Sequence, residues 1–350
     1  MEHGIVYAQK DQFAGWPANN GLWAWDDTEM VVGLTVGGYR VSSGHNIVPP
    51  YRSLLARSLD GGASWQVEEP GGFVGDIVEP SPLRRTLRFE DPGFAMRVVG
   101  AGYHGTEEGR GGFYISYDRC RTWQGPYRFA GLANLLQLEG WEWTPRTDYL
   151  VDGPNECLVL LSARPKEQWG SDRVFCARTT DGGMSFSFVS WVVPPSDPFR
   201  AVMPSTVRCA PGRLVSALRR RQMGTDLCWI DAYGSEDGGA SWSLLDRVGE
   251  TGGHNGNPPA LARLRDGRLC CVYGRRDLRQ LVARISTDEG RSWGRERVLR
   301  QDYHPVNNDA DLGYPRVAQR ADGRLVTVYY WATVDVPTQH IATTIWDVDA

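Results

Sequence analysis

A histidine in a loop of glycine, serine and proline is the first candidate for chemistry. His45, in VSSGHNIVPPYRS, has an unperturbed pKa near ~6.5 and can give or take a proton near neutrality. Towards the other end, NNDADLGYPRV sets Asp309 and Asp311 just before Tyr314, so carboxylates precede a phenol. Arginines close three apolar runs: Arg164 in CLVLLSAR, Arg219 in RLVSALRR, and Arg275 with Arg276 in RLCCVYGRR. Together with Arg146 they could clamp an anion, because the guanidinium fork matches a carboxylate. Trp16, Trp141, Trp143 and Trp331 offer ring faces for stacking on sugars, and Asn257 adds an amide. Each has a plainer alternative: a packed tyrosine, a solvated loop histidine, arginines in ion pairs, a turn-capping aspartate. His104 and His254 sit in Gly-rich loops and are weaker candidates, and Glu156 lies inside a hairpin.

These residues are scattered from position 16 to position 331, so the fold must gather them. Long amphipathic helical patterns are absent. Short runs such as MVVGLTV, GFYISY, RLCCVYG and RLVTVYY alternate with Gly, Pro and Asp clusters, which predicts many short strands. An octapeptide also recurs. SLDGGASW begins at Ser58, SYDRCRTW at Ser116, TTDGGMSF at Thr179, SEDGGASW at Ser235 and STDEGRSW at Ser286. The period of roughly 50–60 residues suits a four-stranded propeller blade. Its Asp can accept backbone N–H groups of a turn, its glycines permit positive φ, and its Trp or Phe can cover the turn. The motif therefore reads as structural, joining the third and fourth strands. A second element keeps register with it: proline, apolar strand, Asp-Gly-type turn, apolar strand, as in NPPALARLRDGRLCCVYGRR. The last unit has no octapeptide and ends on IATTIWDV; GIVYA, near the start, can supply its outer strand and close the ring. The expectation is an all-β, six-bladed β-propeller of four-stranded antiparallel blades, with residues 1–350 as one domain.

Composition excludes several classes. The net charge is −4, and the densest basic run is Arg219–Arg221, so no nucleic-acid partner is expected. No apolar run approaches the ~20 residues of a membrane span. The start, MEHGIVYAQKDQ, lacks a secretory pattern, which points to the cytoplasm. The seven cysteines show no metal spacing and read as buried free thiols. No metal or cofactor is expected.

The five octapeptides, with hairpin-first units between them, resemble the sialidase (neuraminidase) superfamily of six-bladed propellers along essentially the whole chain; NPPALARLRDGRL and DLGYPRVAQRADGRL look closest to bacterial sialidase-like proteins. The resemblance implies a mouth ringed by first-strand starts near Trp16-Pro17, Phe94, Arg146 to Asp148, Met203-Pro204, Asn257-Pro258 and Tyr314-Pro315. Second-strand ends should join them near Tyr39 to Asn46, His104 to Arg110, Arg164, Arg219-Arg220, Arg275-Arg276 and Trp331 to Asp335. It further implies a tyrosine nucleophile at Tyr314 and carboxylate-binding arginines at Arg219 and at Arg275 or Arg276. Three family positions differ. Gly15-Trp16-Pro17 stands where an arginine opens the first blade, Met203 replaces the glutamate that activates the tyrosine, and the acid/base loop offers His45 instead of an aspartate. Losing one guanidinium of a carboxylate clamp should weaken binding by about 2 kcal/mol or more.

The leading expectation is an exo-acting glycoside hydrolase on an acidic sugar or related glycan, with Tyr314, His45 and Asp311 catalytic. Arg146, Arg164, Arg219, Arg275, Arg276, Trp16 and Asn257 would bind the carbohydrate. The alternatives are a polysaccharide lyase at a uronate and a non-catalytic glycan-binding propeller.

Overall fold

The computed structural model describes residues 1–349 apart from 27, 43, 73–78, 101–110, 133–134, 136–137, 145, 254 and 308. It is a six-bladed β-propeller. Blades four and five are four-stranded meanders: Arg200–Ala210, Arg213–Arg221, Cys228–Ser235 and Ser243–Glu250, then Ala260–Arg263, Leu269–Arg275, Gln280–Ser286 and Arg297–Arg300. Blade six takes Gly313–Gln319, Leu325–Trp331 and His340–Trp346 from the end of the chain and Glu2–Tyr7 from its start. Those terminal strands pair antiparallel from Glu2↔Ile345 to Tyr7↔Ile341, so the ring is closed by backbone hydrogen bonds.

The inner strand is broken in two blades. In blade one, Gln12–Gly15 and Leu22–Trp25 both pair with Glu29–Tyr39, and a short helical turn, Pro17–Asn20, separates them. In blade three, Trp141–Thr144 and Tyr149–Gly153 share Glu156–Pro165 in the same way. Blade two corrects an expectation. Ala95–Val99 pairs directly with Gly112–Ser116, the strand that enters an octapeptide, so it holds the second-strand position. Phe94 therefore lies at the octapeptide end of its strand, packed on Phe89, Tyr117 and Tyr149. His104 to Arg110 and His254 fall outside the described residues.

The core is a ring of seams rather than one central mass. Trp23, Val31 and Leu55 meet Ala95, Val99 and Tyr114 between blades one and two. Leu158, Leu160 and Val174 meet Leu214, Leu218 and Tyr233 between blades three and four. Val32, Leu54 and Ala56 meet Val326, Val328 and Ile341 where blade one closes on blade six. Middle strands are covered on both faces, which is why Leu325–Trp331 is buried throughout and is apolar but for Thr327. All seven cysteines are free and buried.

The octapeptides join third to fourth strands and share one geometry. Ser58 Oγ donates to Asp60 Oδ1 (2.8 Å), which accepts Ser64 N (2.9 Å), while Oδ2 accepts Ser64 Oγ (2.6 Å). Trp65 Nε1 closes the turn on Gly62 O (3.0 Å). The second copy makes the same bonds around Asp118 with Arg119 and Cys120, not glycine, at positive φ. Each turn also seats on a neighbouring blade. A Cβ at Gly62 would stand 2.6 Å from Val326 of blade six, and Arg178 of blade three donates to Gly238 O of blade four (2.7 Å).

Burial opposes ionisation of these aspartates, but the Ser and backbone donors prevail and hold Asp60 down to about 2. A lowered carboxyl pKa contributes stability above the ordinary carboxylate range and loses it as pH falls through the lowered value. Asp237 is exposed, so solvent screens its charge, and Asp237→Ala should cost about 0.5–1 kcal/mol at neutral pH, and less near pH 2, in urea unfolding. An equal loss at both pH values would show that the carboxylate charge contributes nothing.

Candidate active site

Three inner strands kink where they reach the mouth. Trp16, Met203 and Tyr314, each followed by proline, have φ of 60°, 59° and 49°. Strand pairing skips from Val202 to Ser205 and from Gly313 to Arg316. A non-glycine residue in this region costs about 1–3 kcal/mol and persists only where its surroundings over-determine it. At Tyr314 the brace is Asn257. Its Oδ1 accepts Tyr314 N and Gly274 N (both 3.1 Å), and its Nδ2 donates to Leu312 O (2.6 Å). A Cβ on Gly313 would meet that amide at 2.6 Å, so the approach requires glycine. Asn257 is thus a buried scaffold for the tyrosine rather than a group presented to a ligand.

The kink sets the Tyr314 ring between two guanidinium groups. Arg219 Cζ lies 6.0 Å and Arg276 Cζ 5.9 Å from the ring centre. Arg219 Nη1 donates to the phenol oxygen (3.1 Å), and its Nε donates to Asn255 O (2.6 Å). Burial alone would raise the phenol pKa; Arg219, His45 and Arg276 together bring it down to about 8. Met203 offers no base, only a sulfur 3.6 Å from Arg219 Nη1.

His45 reaches this group from the loop between the second and third strands of blade one. Its Nδ1 lies 3.0 and 3.1 Å from the two Asp311 oxygens. Its ring stands edge-on to Trp16 at 4.9 Å and to Tyr314 at 6.5 Å. Burial works against the imidazolium, yet Asp311 outweighs it and raises the pKa. Asp311 is lowered in turn: burial opposes its charge, but His45 and Arg276 prevail. Arg276 Nη2 donates to Asp311 Oδ1 (3.4 Å), and Tyr330 donates to the same oxygen (2.5 Å). Asp309 stands behind, accepting from Asn46 (2.5 Å) and Tyr303 (3.1 Å). The His45 side chain keeps 27% exposure while that of Asp311 has 6%, so the histidine is the face the group shows to solvent. With the Tyr314 phenol neutral, Arg219, Arg276 and protonated His45 exceed the carboxylates of Asp311 and Asp309 by one charge, which suits an anion.

Tyr314, His45, Asp311, Arg219 and Arg276 therefore converge, and other expected members do not. Arg164 turns to Glu142 on the adjoining strand (Nε–Oε1 2.6 Å). Arg275 pairs with Asp277 (2.7 Å) and Glu296 (3.2 Å), because one residue along the chain it faces away from Arg276. Arg146 is sealed at 1% exposure and donates to Pro259 O (2.6 Å), a tie between blades three and five. The tryptophans also differ from expectation. Trp143 packs on Phe129 and Phe175, Trp331 on Tyr303 and Tyr329, and Trp141 on Trp191; Trp16 is buried beneath His45. Tyr330 is a member that sequence reading missed. Its signal was alternation: Tyr330 pairs with Gly313, next to the kink. Among the described residues no group of three His, Cys, Asp or Glu side chains could hold a metal ion.

This is the architecture of the sialidase-like propellers. Residues 94–327 match the model of the BNR repeat-like domain, and the chain belongs to that family. No curated protein matches it. Among solved structures it is similar to a protein of unknown function from Dyadobacter fermentans (20% identity, 98% of this chain and 97% of that one, TM-score 0.74). It is also similar to an α-L-arabinanase from Penicillium chrysogenum (13%, 100% and 98%, TM-score 0.59) and to a Hadza microbial sialidase (13%, 96% and 66%, TM-score 0.59). At these identities the likeness is one of fold.

Replacing Asp311 by Asn removes the charge that raises His45. The His45 pKa, followed by imidazole NMR shifts, should fall on Asp311→Asn; an unchanged or higher value contradicts the pairing.

Proposed function

We propose that the protein is an exo-acting glycoside hydrolase of the sialidase type that releases an acidic sugar from a glycan. The observation that carries this reading is the convergence of Arg219, Arg276 and the His45–Asp311 pair on the Tyr314 phenol. Two similar folds belong to proteins named as an arabinanase and a sialidase, which supports the class.

The chemistry follows from which groups hold protons. Tyr314 is held towards phenolate by cations rather than by a carboxylate base. Its oxygen attacks the anomeric carbon while the bond to the leaving oxygen breaks. His45, kept protonated by Asp311, passes a proton to that oxygen from Nε2, the ring nitrogen turned away from the carboxylate. Water then attacks the glycosyl-tyrosine, His45 takes the water proton, and the phenolate leaves again. Two displacements retain the anomeric configuration. Arg219 and Arg276 stabilise the phenolate and face the sugar carboxylate, where low polarity strengthens their pull.

Aryl glycosides of sialic acid, glucuronic acid and arabinofuranose test this directly. The acidic substrates should release phenol, and Tyr314→Phe should lower kcat at least about a hundredfold. The profile of kcat/KM should be a bell, falling on the acid side as Tyr314 protonates and on the alkaline side as His45 loses its proton. Absence of turnover on both acidic substrates and on natural glycans, or turnover of the arabinofuranoside alone, overturns the proposal. An ultraviolet-absorbing unsaturated product would instead mark elimination at a uronate.

A further inference from the structure

Trp169 is an exposed indole at the mouth face that no step above uses. It sits in the loop between Glu156–Pro165 and Arg173–Thr179, the second-to-third-strand connection of blade three, as His45 does in blade one. Its relative exposure is 57%, among the largest for an apolar side chain here. It is nonetheless held. Arg200 Cζ lies 5.4 Å and Arg221 Cζ 5.9 Å from its ring centre. Those guanidiniums are themselves fixed: Arg200 Nε donates to the buried Asp172 (2.6 Å), and Arg221 Nη1 donates to the Asn255 side chain. The next residue, Gly170, has φ 89°, a left-handed conformation that favours glycine and fixes the course of the turn. Cations packed on a ring that stays more than half exposed leave the rest of its surface to solvent.

The position relative to the phenol is also defined. Arg219 and Arg221 lie on one face of Arg213–Arg221, two residues or about 7 Å apart. Asn255 joins them: its carbonyl accepts Arg219 Nε and its side chain accepts Arg221. Indole, Arg221, Asn255, Arg219 and Tyr314 thus form one continuous chain of contacts leading outward from the pore.

The geometry points to Trp169 as the floor of a second sugar-binding subsite, taking a further pyranose or furanose of the glycan whose terminal sugar is seated at Tyr314. This rests on the glycan reading above. The C–H face of a sugar ring matches the indole, and a ring already immobilised loses little freedom on binding.

Isothermal titration calorimetry with sialyllactose, trigalacturonate and arabinotriose tests it. Whichever of these the wild type binds should bind Trp169→Ala about tenfold more weakly, with Trp169→Phe retaining most of the affinity. An unchanged melting temperature would confirm that the variants fold. Equal affinity of Trp169→Ala and wild type, or no binding of any of the three by the wild type, overturns the subsite. The two proposals fail separately: binding that depends on Trp169 without turnover sinks the hydrolase reading alone, whereas aryl glycoside hydrolysis with a Trp169-independent affinity sinks the subsite alone.

Discussion

A left-handed backbone at Tyr314, fixed by the Asn257 amide, is the constraint on which the mouth depends. In an ordinary inner strand the phenol would alternate with its neighbours, and proline at 315 would merely weaken the ladder. Here the strand skips pairing from Gly313 to Arg316 and turns the ring between Arg219 and Arg276. The strain is local, while its support comes from blade five. The close approach of Gly274 and Gly313 to the Asn257 amide leaves no room for a side chain at either glycine.

That support requires an undistorted ring. Each blade buries its faces against its neighbours along six apolar seams, and the octapeptide turns seat on adjoining blades from the opposite face. Pairing of Glu2–Tyr7 with His340–Trp346 removes the free edge that blade six would otherwise present. The result sets His45 against Asp311 across 266 positions of sequence. Opposed protonation tendencies follow from that closeness. A carboxylate raises the histidine, and three cationic groups lower the phenol, without any glutamate at Met203.

Much of this was legible in the residues. The octapeptides revealed the repeat because their Ser, Asp, Gly and Trp each make a bond or a turn that the geometry needs. The X-Pro dipeptides marked the mouth, since proline interrupts a ladder wherever it falls. What eluded the sequence was the direction of side chains. Arg275 and Arg276 differ by one step, and the step reverses the face. Arg164 found a carboxylate on an adjoining strand that is distant by motif. Of the tryptophans expected to meet sugar, Trp141, Trp143 and Trp331 lie within strands and pack into seams. Trp169 stands in a polar loop whose composition gave no sign of the guanidiniums beneath it. Blade two was misread because Ala95–Val99 resembles an inner strand in composition while its pairing makes it the second.

Cations, not a base, hold the Tyr314 phenol towards its ionised form. Ultraviolet difference titration of tyrosinate in the wild type and in Tyr314→Phe measures it directly. One tyrosine should ionise near pH 8 in the wild type and be missing from the variant's titration. Identical titrations for the two proteins, with every tyrosine ionising at or above the ordinary value near ~10, would contradict it.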